Sequence, residues 1–281
     1  MRTEEEMMAL ILGFARDRDD VRAVVMTGSR TNSAAKRDRF QDYDITYVVE
    51  DLAPYRRNQR IPAYFGDIMI LQNPDDMGDA TADKTSYAYL MQFMDGNRID
   101  LTFRPVFDVG SILADSLSLV LLDKDRRFEL PPPTLQSYLP TKPTAKQFAD
   151  CCNEFWWLNP YVAKGLYRDQ IPYAKAILDE LLRTQLRQML TWYLGVTTNF
   201  QVSVGLAGKH LKSQLPDDLW RLMERTYSDV RPNNIWEALF AMDELFGTAA
   251  RAVARAFGFA YCEREEAAIS LFTRQIRDQA G

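Results

Sequence analysis

The spacing of apolar residues differs between the first and the second half of this chain. An amphipathic pattern at 3–17 predicts an opening helix, and short alternating or continuous apolar runs after it predict strands. Asp95-Gly96-Asn97 is a strong hairpin signal between two of them. A polar stretch at 31–41 predicts a short helix and loop, and residues 73–87, rich in Asp, Gly, Thr and Ser, predict a loop. The predicted strands are 21–27, 44–50, 66–72, 88–94, 98–103 and 118–123.

In the second half, apolar residues recur at the spacing that is typical of helices. Five prolines between residues 130 and 144 exclude helix there and predict an extended linker. Beyond them, apolar residues recur three and four apart, at 145–158, 173–194, 216–228, 234–257 and 263–278. The pattern therefore predicts an α+β chain: a mixed sheet with helices at 1–130, a linker at 131–144, and a mainly helical domain at 145–281.

Composition narrows the class of protein. At 281 residues, with 47% apolar and 26% charged residues, the chain has the material for one large or two modest globular domains. It contains no apolar run of membrane-spanning length, and its acidic N-terminus lacks the features of a signal peptide, so we expect a cytoplasmic protein. Three cysteines without useful spacing predict reduced thiols, and the single histidine, His210, excludes most zinc sites.

Charge is unevenly distributed along the chain. Residues 1–143 contain 18 Lys and Arg against 23 Asp and Glu, whereas residues 144–281 contain 16 of each. Proteins that bind nucleic acid usually carry a basic balance, so we expect no nucleic-acid partner. An acidic first half suits metal ions and a cationic small substrate instead.

Two motifs in the first half carry candidate chemistry. Gly28-Ser29 follows the predicted strand 21–27, and a glycine turn lets backbone N–H groups approach phosphate oxygens. Asp42 and Asp44 open the next strand and, at i and i+2, point to the same face. Two neighbouring carboxylates repel unless a cation lies between them, and Mg²⁺ is bound by carboxylates together with substrate phosphates.

Each motif alone has an ordinary structural explanation. Gly-Ser is a common turn, and Asp-x-Asp is often a solvated strand end. The two motifs in this order, each at the boundary of a predicted strand, favour nucleotide binding. Asp100 in the strand after the hairpin can lie across the sheet from the pair, where a third carboxylate could complete a metal site, accept a proton, or do both.

Longer strings around these motifs, and others in the second half, are typical of one known family. They are Gly28-Ser29-Arg30, Asn32, Phe40-Gln41-Asp42-Tyr43-Asp44-Ile45, Arg98-Ile99-Asp100-Leu101, Glu154-Phe155-Trp156 and Pro160-Tyr161-Val162-Ala163-Lys164-Gly165-Leu166. On these residues the chain resembles the aminoglycoside 6-adenylyltransferases, the streptomycin-modifying branch of the nucleotidyltransferase superfamily. The Gly-Ser and Asp-x-Asp pair is shared by the superfamily, whereas the longer strings are similar to this branch, and the resemblance covers nearly the whole chain.

The resemblance implies transfer of AMP from ATP to the hydroxyl at position 6 of streptomycin, with Mg²⁺ and release of pyrophosphate. It implies that Asp42, Asp44 and Asp100 are catalytic metal ligands, with Asp100 or a carboxylate of the helical domain as the base. Gly28 and Ser29 are expected to hold phosphates. Arg30, alternatively a surface ion-pair partner, and Lys164, alternatively a solvated helix residue, are the further nucleotide candidates.

The predicted partners are ATP and a cationic aminoglycoside. Asp179 and Glu180 are substrate candidates because carboxylates pair bidentately with guanidinium groups. Two other functions stay open: a nucleotidyltransferase acting on a protein or an RNA end, and a non-catalytic nucleotide-binding regulator on the same fold. The sequence does not specify the oligomeric state, and a monomer is the default expectation.

Overall fold

The computed structural model describes residues 1–78 and 85–280, and the chain divides into two compact units, Met1–Ser137 and Tyr138–Gly281. The boundary between them falls inside the proline-rich segment. Residues 79–84 of the predicted loop lie outside the described residues. The prediction that the proline-rich segment contains no helix was wrong, because a single 3₁₀ turn, Gln136–Tyr138, fits between the prolines.

The first unit is a six-stranded mixed sheet with helices. Its elements are α1 (Glu4–Arg16), β1 (Val21–Thr27), β2 (Tyr43–Val49), α2 (Arg60–Phe65), β3 (Ile68–Gln72), β4 (Tyr87–Phe93), β5 (Arg98–Pro105), α3 (Gly110–Ala114) and β6 (Leu119–Asp123). The strand order is β3-β4-β5-β2-β1-β6, and neighbouring strands are antiparallel except β2 and β5, which are parallel. The predicted opening helix, strands and hairpin are confirmed, whereas α2 and α3 were not predicted.

Alternation along β2 and β5 separates a core face from a polar face. Tyr43, Ile45 and Tyr47 are buried with Ile99 and Leu101 in a cluster that includes apolar residues of α1. The residues between them face the other side of the sheet and are half-buried at the start of both strands. The sequence therefore directs Asp44 and Asp100 away from the main core.

Strand directions bring three chain segments to one edge of the sheet. Since β1 is antiparallel to β2 and β2 is parallel to β5, the end of β1 lies beside the starts of β2 and β5. Thr27 pairs with Asp44 across one ladder, and Asp44 pairs with Asp100 across the other. This edge positions the candidate site.

The second unit is helical throughout its regular structure, which confirms the predicted α+β class. Within the described ranges, no helix combines the length and apolar character needed to cross a bilayer. A π-helical segment, Ile177–Leu182, joins two of the helices without a break. The helices are α4 (Ala145–Tyr167), α5 (Ile171–Ala176), α6 (Arg183–Thr197), α7 (Leu211–Gln214), α8 (Asp217–Arg225), α9 (Pro232–Phe257) and α10 (Glu263–Gln279).

One predicted boundary and one predicted helix were wrong for identifiable reasons. The first helix of this unit was expected to end at 158, before Pro160, but α4 continues to Tyr167. Proline costs a helix about 3 kcal/mol, and burial of Val162, Ala163 and Leu166 beyond it offsets that cost. In the first unit, residues 31–41 form turns and no helix; Asn32 Oδ1 accepts a hydrogen bond from the Ala34 N–H at 2.9 Å, a local bond that competes with helix.

Candidate active site

Gly28 begins a single 3₁₀ turn, Gly28–Arg30, directly after β1. Its φ is +75°, a conformation that side chains disfavour. A Cβ built on Gly28 would lie 2.0 Å from Asp44 Oδ2, far inside van der Waals contact. Both the backbone conformation and the neighbouring carboxylate therefore require glycine at this position.

The three predicted aspartates converge on the polar side of the sheet edge. Asp44 and Asp100 are directly opposite each other in the parallel ladder, so their side chains share one face. Asp42 lies one residue before β2 and is close enough to both for mutual electrostatic effects. The structure thus brings together Gly28, Ser29 and all three acids.

Arg98 occupies the space between two of these acids. Its Nε and Nη2 donate to Oδ1 and Oδ2 of Asp100, at 2.7 and 2.8 Å. Its Nε is also 3.7 Å from Asp42 Oδ2. Arg98 and Asp100 are two residues apart on β5 and therefore face the same side. Sequence analysis gave no role to Arg98, although this i, i+2 spacing is a signal that could have identified it.

Asp44 carries negative charge that its surroundings balance poorly. Burial, then the nearby carboxylates of Asp100 and Asp42, raise the pKa of Asp44 to about 6, and Arg98 and Arg30 only partly oppose the shift. Burial also raises the pKa of Asp42, against the lowering effect of Arg98. A cation placed between these groups would favour their ionised forms.

The donor set suits a hard divalent cation, although it is not arranged as a finished metal site. In the described parts of the chain, no three His, Cys, Asp or Glu side chains are grouped so that they could hold a metal ion. The guanidinium of Arg98 engages both oxygens of Asp100 instead. The carboxylates fit Mg²⁺ by chemistry and by their shared face, and a bound ion would compete with Arg98 for Asp100.

Ser29 and Arg30 have different environments. The Ser29 hydroxyl makes no hydrogen bond to any described residue, which leaves it available to a ligand. Arg30 is 7% exposed and stacks on the Tyr43 ring, 3.7 Å from its centroid, on the core face of β2. Its Nε and Nη2 donate to the backbone oxygens of Asp42 and Gln41, at 3.1 and 2.8 Å. Its guanidinium therefore holds the chain before β2, and its role in nucleotide binding stays a prediction.

Lys164 lies on the exposed side of α4, in the second unit. Its Nζ is 5.9 Å from the centroid of the Phe272 ring, a long cation–π distance. Its carbonyl accepts the Arg168 N–H at 3.2 Å, so both residues mark the end of the helix. Lys164 is thus accessible to a ligand, and its nucleotide role stays a prediction.

Asp179 and Glu180 are neighbours in the π-helical segment but differ in their contacts. Asp179 accepts from Lys175 Nζ at 2.7 Å and from Arg183 Nη2 at 2.9 Å. Arg183 is buried and also donates to the backbone oxygen of Thr226 at 2.8 Å. Asp179 therefore takes part in an ion-pair network within the helical unit, and its role as a partner for a substrate guanidinium stays a prediction. Glu180 is exposed and stays a candidate.

The helical unit also contains a polar cavity that sequence analysis did not identify. It has a volume of about 340 Å³ and lies among α8, α9 and α10. Its charges are of both signs, so it does not select a cationic ligand by charge alone. The lining residues are Arg225, Glu237, Phe240, Asp243, Glu244, Glu266, Ser270, Arg274 and Arg277.

Known proteins are similar to this chain over nearly its whole length. The profile of the streptomycin adenylyltransferase family matches residues 1–276. The chain is 35% identical to aminoglycoside 6-adenylyltransferase of Bacillus subtilis over 281 residues, 98% of each chain. It is 36% identical to the Campylobacter jejuni protein of that name over 277 residues, 98% of this chain and 96% of the relative. A crystal structure of an aminoglycoside 6-adenyltransferase from Bacillus subtilis is 32% identical, covers 99% of both chains and has a TM-score of 0.49. By the family profile and these relatives, the chain belongs to the streptomycin adenylyltransferase family.

Proposed function

We propose that this protein transfers AMP from ATP to a hydroxyl of an aminoglycoside, at position 6 of streptomycin, and releases pyrophosphate. The names of its relatives support the substrate class. The observation that carries the chemistry is the in-register pair Asp44 and Asp100, packed beside the glycine turn that ends β1. A pure nucleotide binder has little need of three acids around phosphate groups.

The three acids are the proposed ligands of Mg²⁺. When bound, Mg²⁺ supplies neutralisation of the triphosphate charge and favours in-line displacement at the α-phosphorus. The Asp44 carboxylate lies against Gly28, so it is beside the turn before any ligand arrives. The turn at Gly28 and the free hydroxyl of Ser29 are the proposed contacts of the terminal phosphates.

The proton of the attacking hydroxyl needs an acceptor. Asp100 is one candidate, but both of its oxygens accept hydrogen bonds from Arg98, so it can take a proton only after Arg98 moves. A carboxylate of the helical unit is the other candidate, and Glu180 is exposed there. Glu180 is also the proposed partner for a guanidinium group of the antibiotic, because Asp179 is already paired.

Mass spectrometry of streptomycin incubated with the protein, ATP and Mg²⁺ tests this function. We expect a product heavier by one AMP unit, with fragmentation placing it at position 6. An unmodified antibiotic, or AMP at another position, would contradict the proposed specificity. Asp42→Asn is the matched control for chemistry: it should suppress pyrophosphate release, and unchanged release would favour a different catalytic centre.

The alternative acceptors can be tested in parallel. ATP labelled in its α-phosphate distinguishes transfer to an aminoglycoside from transfer to RNA ends or to protein, because each product separates by size. We expect label on the antibiotic alone. Label on RNA or protein would replace the aminoglycoside proposal, and nucleotide binding without any label transfer would favour a regulator.

A further inference from the structure

Arg98 places a positive charge beside the acids that are the proposed ligands of Mg²⁺. What we infer from this arrangement rests on the proposed function. Its Nε and Nη2 donate to the two carboxylate oxygens of Asp100, at 2.7 and 2.8 Å, and its Nε is 3.7 Å from Asp42 Oδ2. The single charge of Arg98 is thus shared by two of the three acids. The carboxylate of Asp44, the third, receives no hydrogen bond from a described residue.

Arg98 and a divalent ion compete for the same atoms. Mg²⁺ contacts its oxygen ligands at about 2.0–2.1 Å, and a guanidinium that already engages both Asp100 oxygens weakens their donation to the ion. Placing both cations beside one carboxylate also adds repulsion between them. Metal binding therefore favours opening of the Arg98–Asp100 ion pair.

Arg98 has a route by which to leave. Its side chain is 40% exposed, in contrast to 6% for Arg30, so it can rotate without disturbing the core. It stays on the polar face at the edge where Gly28 and Ser29 lie. Nucleotide binding brings a triphosphate to this edge, and the planar fork of arginine binds phosphate oxygens bidentately.

We propose that Arg98 is a counter-ion that changes partners: it holds Asp100 and Asp42 in the free protein, gives them up to a divalent ion, and then binds the phosphate oxygens of the nucleotide. In both states a positive charge therefore lies beside the acids. Arg98 is then a positioning residue in the free protein and a nucleotide ligand in the loaded one.

Titration with Mn²⁺ alone, without nucleotide, tests the first half. Arg98→Met removes the competing cation and keeps the length of the side chain, so we expect Mn²⁺ to bind about tenfold tighter or more, the scale of a lost charge-assisted hydrogen bond. Arg104→Met is the matched control on the same strand, because Arg104 pairs with Asp108 at 2.9 Å away from the three acids. It should leave Mn²⁺ affinity unchanged. Equal or weaker Mn²⁺ binding by Arg98→Met would overturn the proposal.

Binding of α,β-methylene-ATP with Mg²⁺ tests the second half. Arg98→Met should weaken it about tenfold, and Arg98→Lys should recover part of the loss, since lysine restores charge without the fork. Unchanged affinity in Arg98→Met would show that the guanidinium does not reach the phosphates and would overturn this half. Thermal melts of each variant separate misfolding from altered binding. Both titrations omit the acceptor, so failure of AMP transfer to streptomycin would contradict the proposed function without touching this result.

Discussion

Each unit contains an aspartate whose pKa is raised, and the two differ in what surrounds them. Asp44 lies half-buried at the sheet edge, beside two further acids and a glycine turn. Asp243 lies on α9 at 6% exposure, beside the amide of Asn159. Asp44 shares its surroundings with groups that a ligand can neutralise, whereas Asp243 is far more enclosed.

The surroundings of Asp243 indicate a neutral acid. Burial raises its pKa well above the usual value, although the Asn159 hydrogen bond and Arg274 oppose the shift. Among the described residues, Asp243 Oδ2 and Asn159 Oδ1 have no hydrogen-bond partner, and a proton on Asp243 would add a donor beside these two acceptors. A raised pKa alone therefore does not identify a site; access and a glycine that makes room for the carboxylate do.

Replacing each aspartate by asparagine should produce the largest contrast. Asp44→Asn should lower the rate of pyrophosphate release by about a hundredfold or more, the scale of losing one charge-stabilising group at a reaction centre. Asp243→Asn should leave that rate within about twofold, because a neutral amide replaces a neutral acid of the same shape. Steady-state kinetics of both variants measures the difference. Equal losses would mean that the polar cavity takes part in catalysis.

Gly28 and Gly258 both have a positive φ, so a comparison of their alanine variants separates the effect of backbone strain from the effect of lost space. Gly28→Ala and Gly258→Ala should each cost about 1 kcal/mol of unfolding free energy, because φ is +75° and +69°. Only Gly28→Ala should also lower activity, by about tenfold or more, since its Cβ displaces the Asp44 carboxylate, whereas Gly258 has open space around it. Denaturant melts and pyrophosphate assays measure both effects. Full activity in Gly28→Ala would remove the proposed need for a fixed Asp44.

The two acids of the π-helical segment should separate stability from substrate binding. Asp179→Asn should lower the unfolding free energy by about 1–3 kcal/mol, because it leaves the buried Arg183 without its carboxylate. Its KM for streptomycin should stay unchanged. Glu180→Gln should do the reverse, raising KM with little change in stability. A raised KM in Asp179→Asn together with an unchanged KM in Glu180→Gln would instead indicate that Asp179 is the substrate ligand.

The pH dependence of the metal-free protein gives the smallest effect. Since the pKa of Asp44 is raised to about 6, its protonated form is favoured by folding. The stability it contributes is complete below the unfolded pKa near 4 and is lost as pH rises through about 6. Denaturant melts in EDTA should therefore show the wild type losing stability relative to Asp44→Asn between about pH 4 and 7. Mg²⁺ affinity should fall as pH drops below about 6. A difference in stability between the two proteins that does not change with pH would contradict the raised pKa of Asp44.

Much of the first unit follows from local pattern. Alternation at Tyr43–Val49 and the turn residues at 95–97 predict strands because side-chain period and turn geometry are local properties. The facing of Asp44 and Asp100 follows in part, because both interrupt apolar strands at their starts. Gly28 was expected to admit a ligand to the backbone, and the structure adds that it makes room for Asp44.

The errors arise where tertiary contacts decide. The continuation of α4 past Pro160 depends on burial of residues distant from the proline. The contacts of Arg30 with Tyr43 and of Asp179 with Arg183 could not be predicted either, because their partners lie far away in the sequence or on another element. The i, i+2 spacing of Arg98 and Asp100 indicates a shared face, but the bidentate geometry of the pair depends on the folded strand.

The parallel pairing of β2 with β5 has a consequence for how the protein refolds. Parallel strands cannot be joined by a tight turn, and the chain between Asp44 and Asp100 must close a long loop before the two aspartates meet. The β4–β5 hairpin, by contrast, closes through a few residues and forms early. After dilution from denaturant, spectroscopic recovery of sheet should therefore precede recovery of nucleotide binding, which records the moment of long-range closure.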